Sequence, residues 1–168
     1  METKSIKNKL VVMIGIPGSG KSTYITSKMK HAHVVSRDAI RFSMVTDKDN
    51  YFSRENEVWT EFINQIKESL KKYYVTVADA THLNTRSRAK LFRALGSSLK
   101  NIEIVAVYVK APIETCIERN NLREGLAVVP ESAIRRMASQ IEEPIVEEGW
   151  GAIIIYNSKE EYFEQVKI

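Results

Sequence analysis

A short apolar run at residues 10–14 leads straight into Gly15-Ile16-Pro17-Gly18-Ser19-Gly20-Lys21-Ser22-Thr23, and this junction limits the fold more than any other feature of the 168-residue chain. Its spacing, G-x-x-x-x-G-K-[ST] between a strand and a helix, is that of a phosphate-binding loop. The glycines let successive backbone N–H groups converge on phosphate oxygens at the positive end of the helix that follows. Three of the chain's seven glycines stand here. Lys21 is then placed to reach the β- and γ-phosphates of a nucleoside triphosphate, and the Ser22 hydroxyl to bind Mg²⁺. The motif predicts a triphosphate site without saying what happens there.

The rest of the chain supplies the architecture such a loop needs. Short β-branched runs at 10–14, 34–36, 75–78, 102–109 and 152–156 alternate with amphipathic segments at about 22–30, 55–73, 85–95, 113–122 and 131–143. Val58, Phe62, Ile63, Ile66 and Leu70 mark one face of the longest segment. Strand–helix alternation predicts an α/β fold: a P-loop NTPase three-layer sandwich with a mostly parallel five-stranded sheet and helices on both faces. Ligands of such sheets bind beyond the carboxyl ends of the strands. No repeat or linker interrupts the pattern, so residues 1–168 read as a single domain.

Composition narrows the function classes. At 43% hydrophobic and 27% charged, the chain is neither disordered nor fibrous. One cysteine, Cys116, excludes an internal disulfide, and with three scattered histidines it makes no zinc ligand set. Lys4, Lys7 and Lys9 precede the first apolar run, but that run breaks at Gly15 and Pro17, too soon for a secretory or membrane segment. A soluble, cytoplasmic chain with no membrane partner is expected. The net charge of +4 permits a polyanionic partner without demanding one. Residues 81–136 hold ten basic and five acidic side chains, whereas 141–168 hold two and seven, so the last segment is the unsuitable place for nucleic acid.

Three further loops carry candidate chemistry. After the second strand, Ser36-Arg37-Asp38-Ala39-Ile40-Arg41 offers a carboxylate that either caps a helix or takes the proton of an attacking hydroxyl. Arg41, three residues on, shares its face and suits a substrate phosphate. After the third strand, Asp79-Ala80-Thr81-His82 offers a carboxylate with either a capping or a Walker-B-like role; His82 is given no acid–base part. The next helix carries Arg86, Arg88, Lys90 and Arg93, either a groove for phosphodiesters or a solvated face. Arg119 and Arg123, four apart, precede the loop Glu124–Pro130, and helix–loop–helix with paired arginines suits a lid at about 113–143 over a triphosphate.

Taken together, GIPGSGKST, SRDAIR, DATHLN and ERNNLREGLAVVP resemble the polynucleotide 5′-hydroxyl kinase family, over nearly the whole chain from about Leu10 to Asn157. The resemblance implies a set of roles. Gly15, Pro17, Gly18, Ser19, Gly20, Lys21, Ser22 and Thr23 would hold ATP, with Ser22 on Mg²⁺ and Lys21 on the transferred phosphate. Asp38 would be the general base for the acceptor hydroxyl. Arg41 would contact the neighbouring phosphate, with Asp79 and Thr81 on the acceptor side. Arg123 would be the catalytic lid arginine, with Arg119 assisting the nucleotide and Asn157 beside the adenine. The implied activity is ATP- and Mg²⁺-dependent transfer of the γ-phosphate to a 5′-hydroxyl end of DNA or RNA.

Departures are visible. Ala39 stands where a second acidic residue can occur, and Asp47-Lys48-Asp49-Asn50 lacks the Gly-Thr of a phosphatase motif. An end-healing enzyme of this kind would perform one step and leave phosphatase or ligase chemistry to a separate protein. Two other readings stay open: a P-loop kinase of a small metabolite or nucleotide, and an ATP-binding regulatory protein without an acceptor.

Overall fold

The computed structural model describes residues 7–47 and 50–168; Lys4 and the Lys48-Asp49 part of the rejected phosphatase motif lie outside them. Strand β1 (Lys9–Ile14) is the centre of a six-stranded sheet in the order β2-β3-β1-β4-β5-β6. β2 (His33–Ser36), β3 (Val75–Asp79), β4 (Glu103–Lys110) and β5 (Ala152–Asn157) run parallel to it, as the alternation predicts. β6 (Tyr162–Lys167) is antiparallel to β5 and was not expected. Its residues are exposed or half-buried because it forms an edge, so it lacks the apolar run that marks the buried strands.

β1 is buried along nearly its whole length because helices cover both its faces. Leu10, Val12 and Ile14 point to one side, where α2 (Arg37–Met44), α3 (Glu55–Lys72) and α4 (Thr85–Leu95) supply Ile40, Phe62, Ile66 and Leu91. Val11 and Met13 point to the other, against Tyr24 and Ile25 of α1 (Lys21–Lys28). The face predicted for residues 55–73 is the buried face of α3. Each large apolar side chain taken from water stabilises the fold by about 1.5–3 kcal/mol, so period-2 strands facing period-3.6 helices leave little freedom of register.

α5 (Ile113–Asn121) and α6 (Glu131–Gln140) pack on each other around Cys116, Ile117 and Ile134, and Ile16 of the phosphate loop belongs to the same cluster. α6 ends three residues short of expectation. Ile141 turns extended, the Glu142 backbone N–H donates to Leu83 O (2.8 Å), and the Glu142 carboxylate accepts from the Thr85 N–H (2.8 Å) at the start of α4. Backbone that would have continued a helix instead ties two loops together at the carboxyl edge of the sheet.

Candidate active site

The phosphate loop is held by its surroundings on three sides. The Gly15 N–H donates to Thr81 O (3.1 Å), linking the loop to the segment after β3. Gly18 adopts φ +81° with its Cα against α5, and a Cβ there would fall 2.1 Å from the Cys116 carbonyl oxygen, closer than any real contact. Gly20, also left-handed at φ 102°, opens α1 without a side-chain cap, leaving the first-turn N–H groups of α1 directed into the loop. The buried Ser19 hydroxyl has no protein partner among the described residues.

Lys21 bends back so that Nζ donates to Gly15 O (2.8 Å) and Ile16 O (3.2 Å), with no carboxylate bonded to it among the described residues. Burial lowers its pKa; the charges of Asp79 and Asp38 oppose that, and Arg123 adds to it. A half-buried ammonium satisfied only by carbonyls, beside converging amides, fits the oxygens of a polyphosphate. No group of three or more His, Cys, Asp or Glu able to hold a metal occurs among the described residues. Mg²⁺ bound with a nucleotide keeps most of its waters and takes one or two protein oxygens besides phosphate, and the exposed Ser22 hydroxyl on the first turn of α1 is an oxygen of that kind.

Neither candidate aspartate is a helix cap. The Ser36 hydroxyl accepts from the Ala39 N–H (3.2 Å) at the start of α2, and Asn84 caps α4 with a reciprocal bond to Ser87. Asp79 ends β3 opposite Ser36 in the register and is half-buried. Burial pushes its carboxyl pKa up; Lys21 opposes this, and the charge of Asp38 reinforces it. Thr81 contributes its backbone to the loop through the bond to Gly15.

Asp38 lies in the first turn of α2, its side chain 65% exposed, with Oδ1 ion-paired to Arg41. Arg41 itself is buried. Its Nε and one terminal nitrogen donate to the Glu55 carboxylate (3.1–3.2 Å), and its guanidinium stands 5.0 Å from the Tyr51 ring centroid. Arg37 bonds the same carboxylate. Glu55 was missed because it opens α3, fourteen residues from Arg41, and no local spacing relates the two.

On the far side, Arg119 of α5 donates to the carbonyls of Gly18 and Ser19 (3.3 Å each) and to Ser158 Oγ (2.8 Å). The Ser158 hydroxyl in turn bonds Ser19 O, so the turn after β5 is fastened to the phosphate loop. Asn157, expected beside the nucleotide, uses its side-chain oxygen to accept from the Lys159 and Glu160 N–H groups (3.1 and 3.2 Å) and build that turn. Ser158, which the sequence did not mark, is the residue that meets the loop. Arg123 is exposed just beyond α5, close enough for its charge to bear on both Lys21 and Asp79. The neighbouring strap is fixed by Asn120, which exchanges two hydrogen bonds with the Val129 backbone (2.7 and 3.0 Å).

The basic helix needs a correction. Arg88 is fully buried, paired with Glu148 (2.6 and 2.8 Å) and donating to the carbonyls of His82 and Glu142 (3.0 Å each). It holds the fold together and faces no groove. A signal for this existed: Arg88 is two residues from both Arg86 and Lys90, hence on the opposite face, in line with Leu91 and Leu95.

A family model of an AAA domain (AAA_33) matches residues 10–144. Among curated proteins, the chain is 24% identical over 166 residues to transcription factor bHLH140 of Arabidopsis thaliana, covering 92% of this chain and 16% of that protein. It is 29% identical over 128 residues to the putative bifunctional polynucleotide kinase/RNA ligase of Autographa californica nuclear polyhedrosis virus, covering 68% of this chain and 18% of that protein. The chain thus spans less than a fifth of the length of either relative. Among solved structures, Chaetomium thermophilum Kti12 in complex with ADP-AlF3 superposes with a TM-score of 0.62 at 16% identity, covering 90% of each chain. A gluconokinase from Sinorhizobium meliloti 1021 gives 0.56 at 18%, covering 92% of this chain and 84% of that one. A chain of the Pnkp1/Rnl/Hen1 complex gives 0.54 at 21%, covering 71% and 42%. At these identities the superpositions report a shared P-loop kinase-like fold.

Proposed function

The chain belongs to the AAA domain family, and from that premise we propose that it is an ATP- and Mg²⁺-dependent kinase transferring the γ-phosphate to the 5′-hydroxyl end of a polynucleotide. The observation that carries this reading is the Asp38–Arg41–Glu55 arrangement: a carboxylate ion-paired to a buried guanidinium and near enough for its charge to bear on Lys21 of the phosphate loop. The viral polynucleotide kinase/RNA ligase relative supports the same choice of acceptor.

Each residue then has a defined task. Arg41 fixes Oδ1 of Asp38, leaving Oδ2 to accept the proton of the acceptor hydroxyl. As the bond from the 5′-oxygen to the γ-phosphorus forms, the bond from that phosphorus to the ADP oxygen breaks, and the hydroxyl proton passes to Asp38. Lys21 and the amides from Gly15 to Thr23, with Pro17 setting the turn, hold the phosphate oxygens. Arg123 neutralises charge on the transferring group from the solvent side, and Arg119 braces the loop. Asp79 and Thr81 border the acceptor. When bound with the nucleotide, Mg²⁺ would supply neutralisation of phosphate charge, and Ser22 would be the side chain to hold it. Residues 113–143 serve as the lid of a domain comprising the whole chain, and phosphatase or ligase steps fall to other polypeptides or other modules.

A small-metabolite acceptor is the second reading, and one observation favours it. Arg41 is already neutralised by Glu55 and Asp38, which lessens its draw on a substrate phosphate. Labelled ATP offered with 5′-hydroxyl DNA and RNA oligonucleotides, beside gluconate, other sugars and nucleosides, separates the two. Label on oligonucleotide ends supports the first reading; label confined to a sugar or nucleoside replaces it. With the productive acceptor, Asp38→Asn is expected to keep ATP binding by calorimetry and to lose about 10²-fold or more in turnover. Unchanged turnover removes Asp38 from the mechanism.

A further inference from the structure

Arg86, Lys90 and Arg93 follow one another at intervals of four and three residues, forming a row about 10 Å long on one face of α4. All three are exposed, α4 contains no acidic residue, and none of the three has a carboxylate within ion-pairing distance among the described residues. Elsewhere Arg54, Lys71 and Arg135 are each paired with a neighbouring glutamate. The row is also rigidly mounted, because buried Arg88 on the opposite face anchors α4 to Glu148.

Trp59 on α3 joins this row to the candidate site. Lys90 Nζ lies 4.5 Å from its ring centroid and the Arg37 guanidinium 5.2 Å, both within the range of cation–π attraction. Arg37 shares Glu55 with Arg41, and Arg41 pairs with Asp38. Arg37 Nε is buried with no partner among the described residues, a donor left over at the inner end of the series. Basic side chains therefore lead from the α2 end of the site, where Glu55 and Asp38 answer their charge, across Trp59 to the unpaired row along α4.

We infer that this α3–α4 face is the track for the sugar–phosphate backbone of a single-stranded acceptor beyond its 5′-terminal nucleotide. The inference rests on the polynucleotide reading of the Asp38 site and adds where the rest of the strand goes. Unpaired cations release the strand's counterions on contact, so the track gives affinity that grows with acceptor length and falls with salt. Trp59 is a positioning residue, holding two cations in line.

The test compares wild type with Arg86→Ala/Lys90→Ala/Arg93→Ala, whose changes are confined to exposed side chains. Transfer is measured to a nucleoside 3′-monophosphate and to single-stranded 5′-hydroxyl oligonucleotides of two, four and twelve nucleotides, and binding of the twelve-mer is followed by anisotropy against salt. Wild type is expected to show KM falling with length. The variant is expected to lose that dependence, with KM for the twelve-mer up about tenfold or more and kcat on the monophosphate unchanged. Its log–log salt slope should be shallower by about 2, three phosphates at about 0.7 each. Arg86→Lys/Arg93→Lys should behave as wild type. Equal length dependence and salt slope in wild type and triple variant overturn the track while leaving the kinase reading intact. A wild type that phosphorylates no oligonucleotide overturns the kinase reading and the track with it.

Discussion

Glu55 holds two arginines with one carboxylate, and what it does for the site follows from what those arginines touch. Arg41 is 6% exposed, so its charge is tolerated only while Glu55 and Asp38 answer it. In Glu55→Ala a nearly buried guanidinium loses its main acceptor. The pair is itself partly solvated, so the expected cost is about 2 kcal/mol, below the range for fully buried pairs. A lower urea midpoint with unchanged m-value checks it, and acceptor KM should rise while ATP affinity holds. His82 is the second residue with a measurable signature. Its backbone is left-handed at φ 44°, Nδ1 donates to Met13 O (2.7 Å), and buried Nε2 has no partner among the described residues. Burial, abetted by the charges of Arg37, Lys21 and Arg88, lowers its pKa from 6.5 to about 4, against the bond to Met13. The unfolded chain therefore binds more protons between those values. Stability present above pH 6.5 is lost as pH falls towards 4, by up to about 3 kcal/mol. Asn tolerates the same backbone. The difference between wild-type and His82→Asn unfolding curves should carry this slope, whereas Asp79, with its raised pKa, contributes equally to both and with the opposite sign.

Among the elements, the legible ones were those whose cause is local. The phosphate loop could be read because glycine spacing and Lys21 encode it within nine residues, and α3 because its apolar period persists through eighteen. β6 could not, since an edge strand needs no buried face, and the short helix α2 showed only its first turn. Partners escaped where the chain returns from far away: Ser158 reaches Ser19 across 139 residues and Glu148 reaches Arg88 across 60. Arg88 shows how identical residue types on one helix divide by angle alone. Removing Glu148 leaves Arg88 charged and sealed from water. Glu148→Ala is therefore expected to cost about 3–5 kcal/mol, and Arg88→Met with Glu148→Leu to recover much of it. A double-mutant cycle by chemical denaturation reads the coupling.

For the molecule as a whole, strand order puts the carboxyl ends of β1, β2 and β3 side by side, which is why the charges of Asp79 and Asp38 bear on Lys21, and those of Lys21 and Asp38 on Asp79, although the chain separates them widely. No helix among the described residues is long and apolar enough to cross a membrane. The contact between Gly18 and the Cys116 carbonyl has a mechanical corollary. With no room for even a methyl group there, and with Arg119 clamped to the carbonyls of Gly18 and Ser19, α5 is fastened to the cradle at two of its residues, Cys116 and Arg119. An exposed stretch begins after Asn121 at Leu122, and the Asn120–Val129 bonds close it into a short arc. Arg123 therefore stands in a short arc fastened at both ends, carried by a helix that is itself held to the phosphate loop.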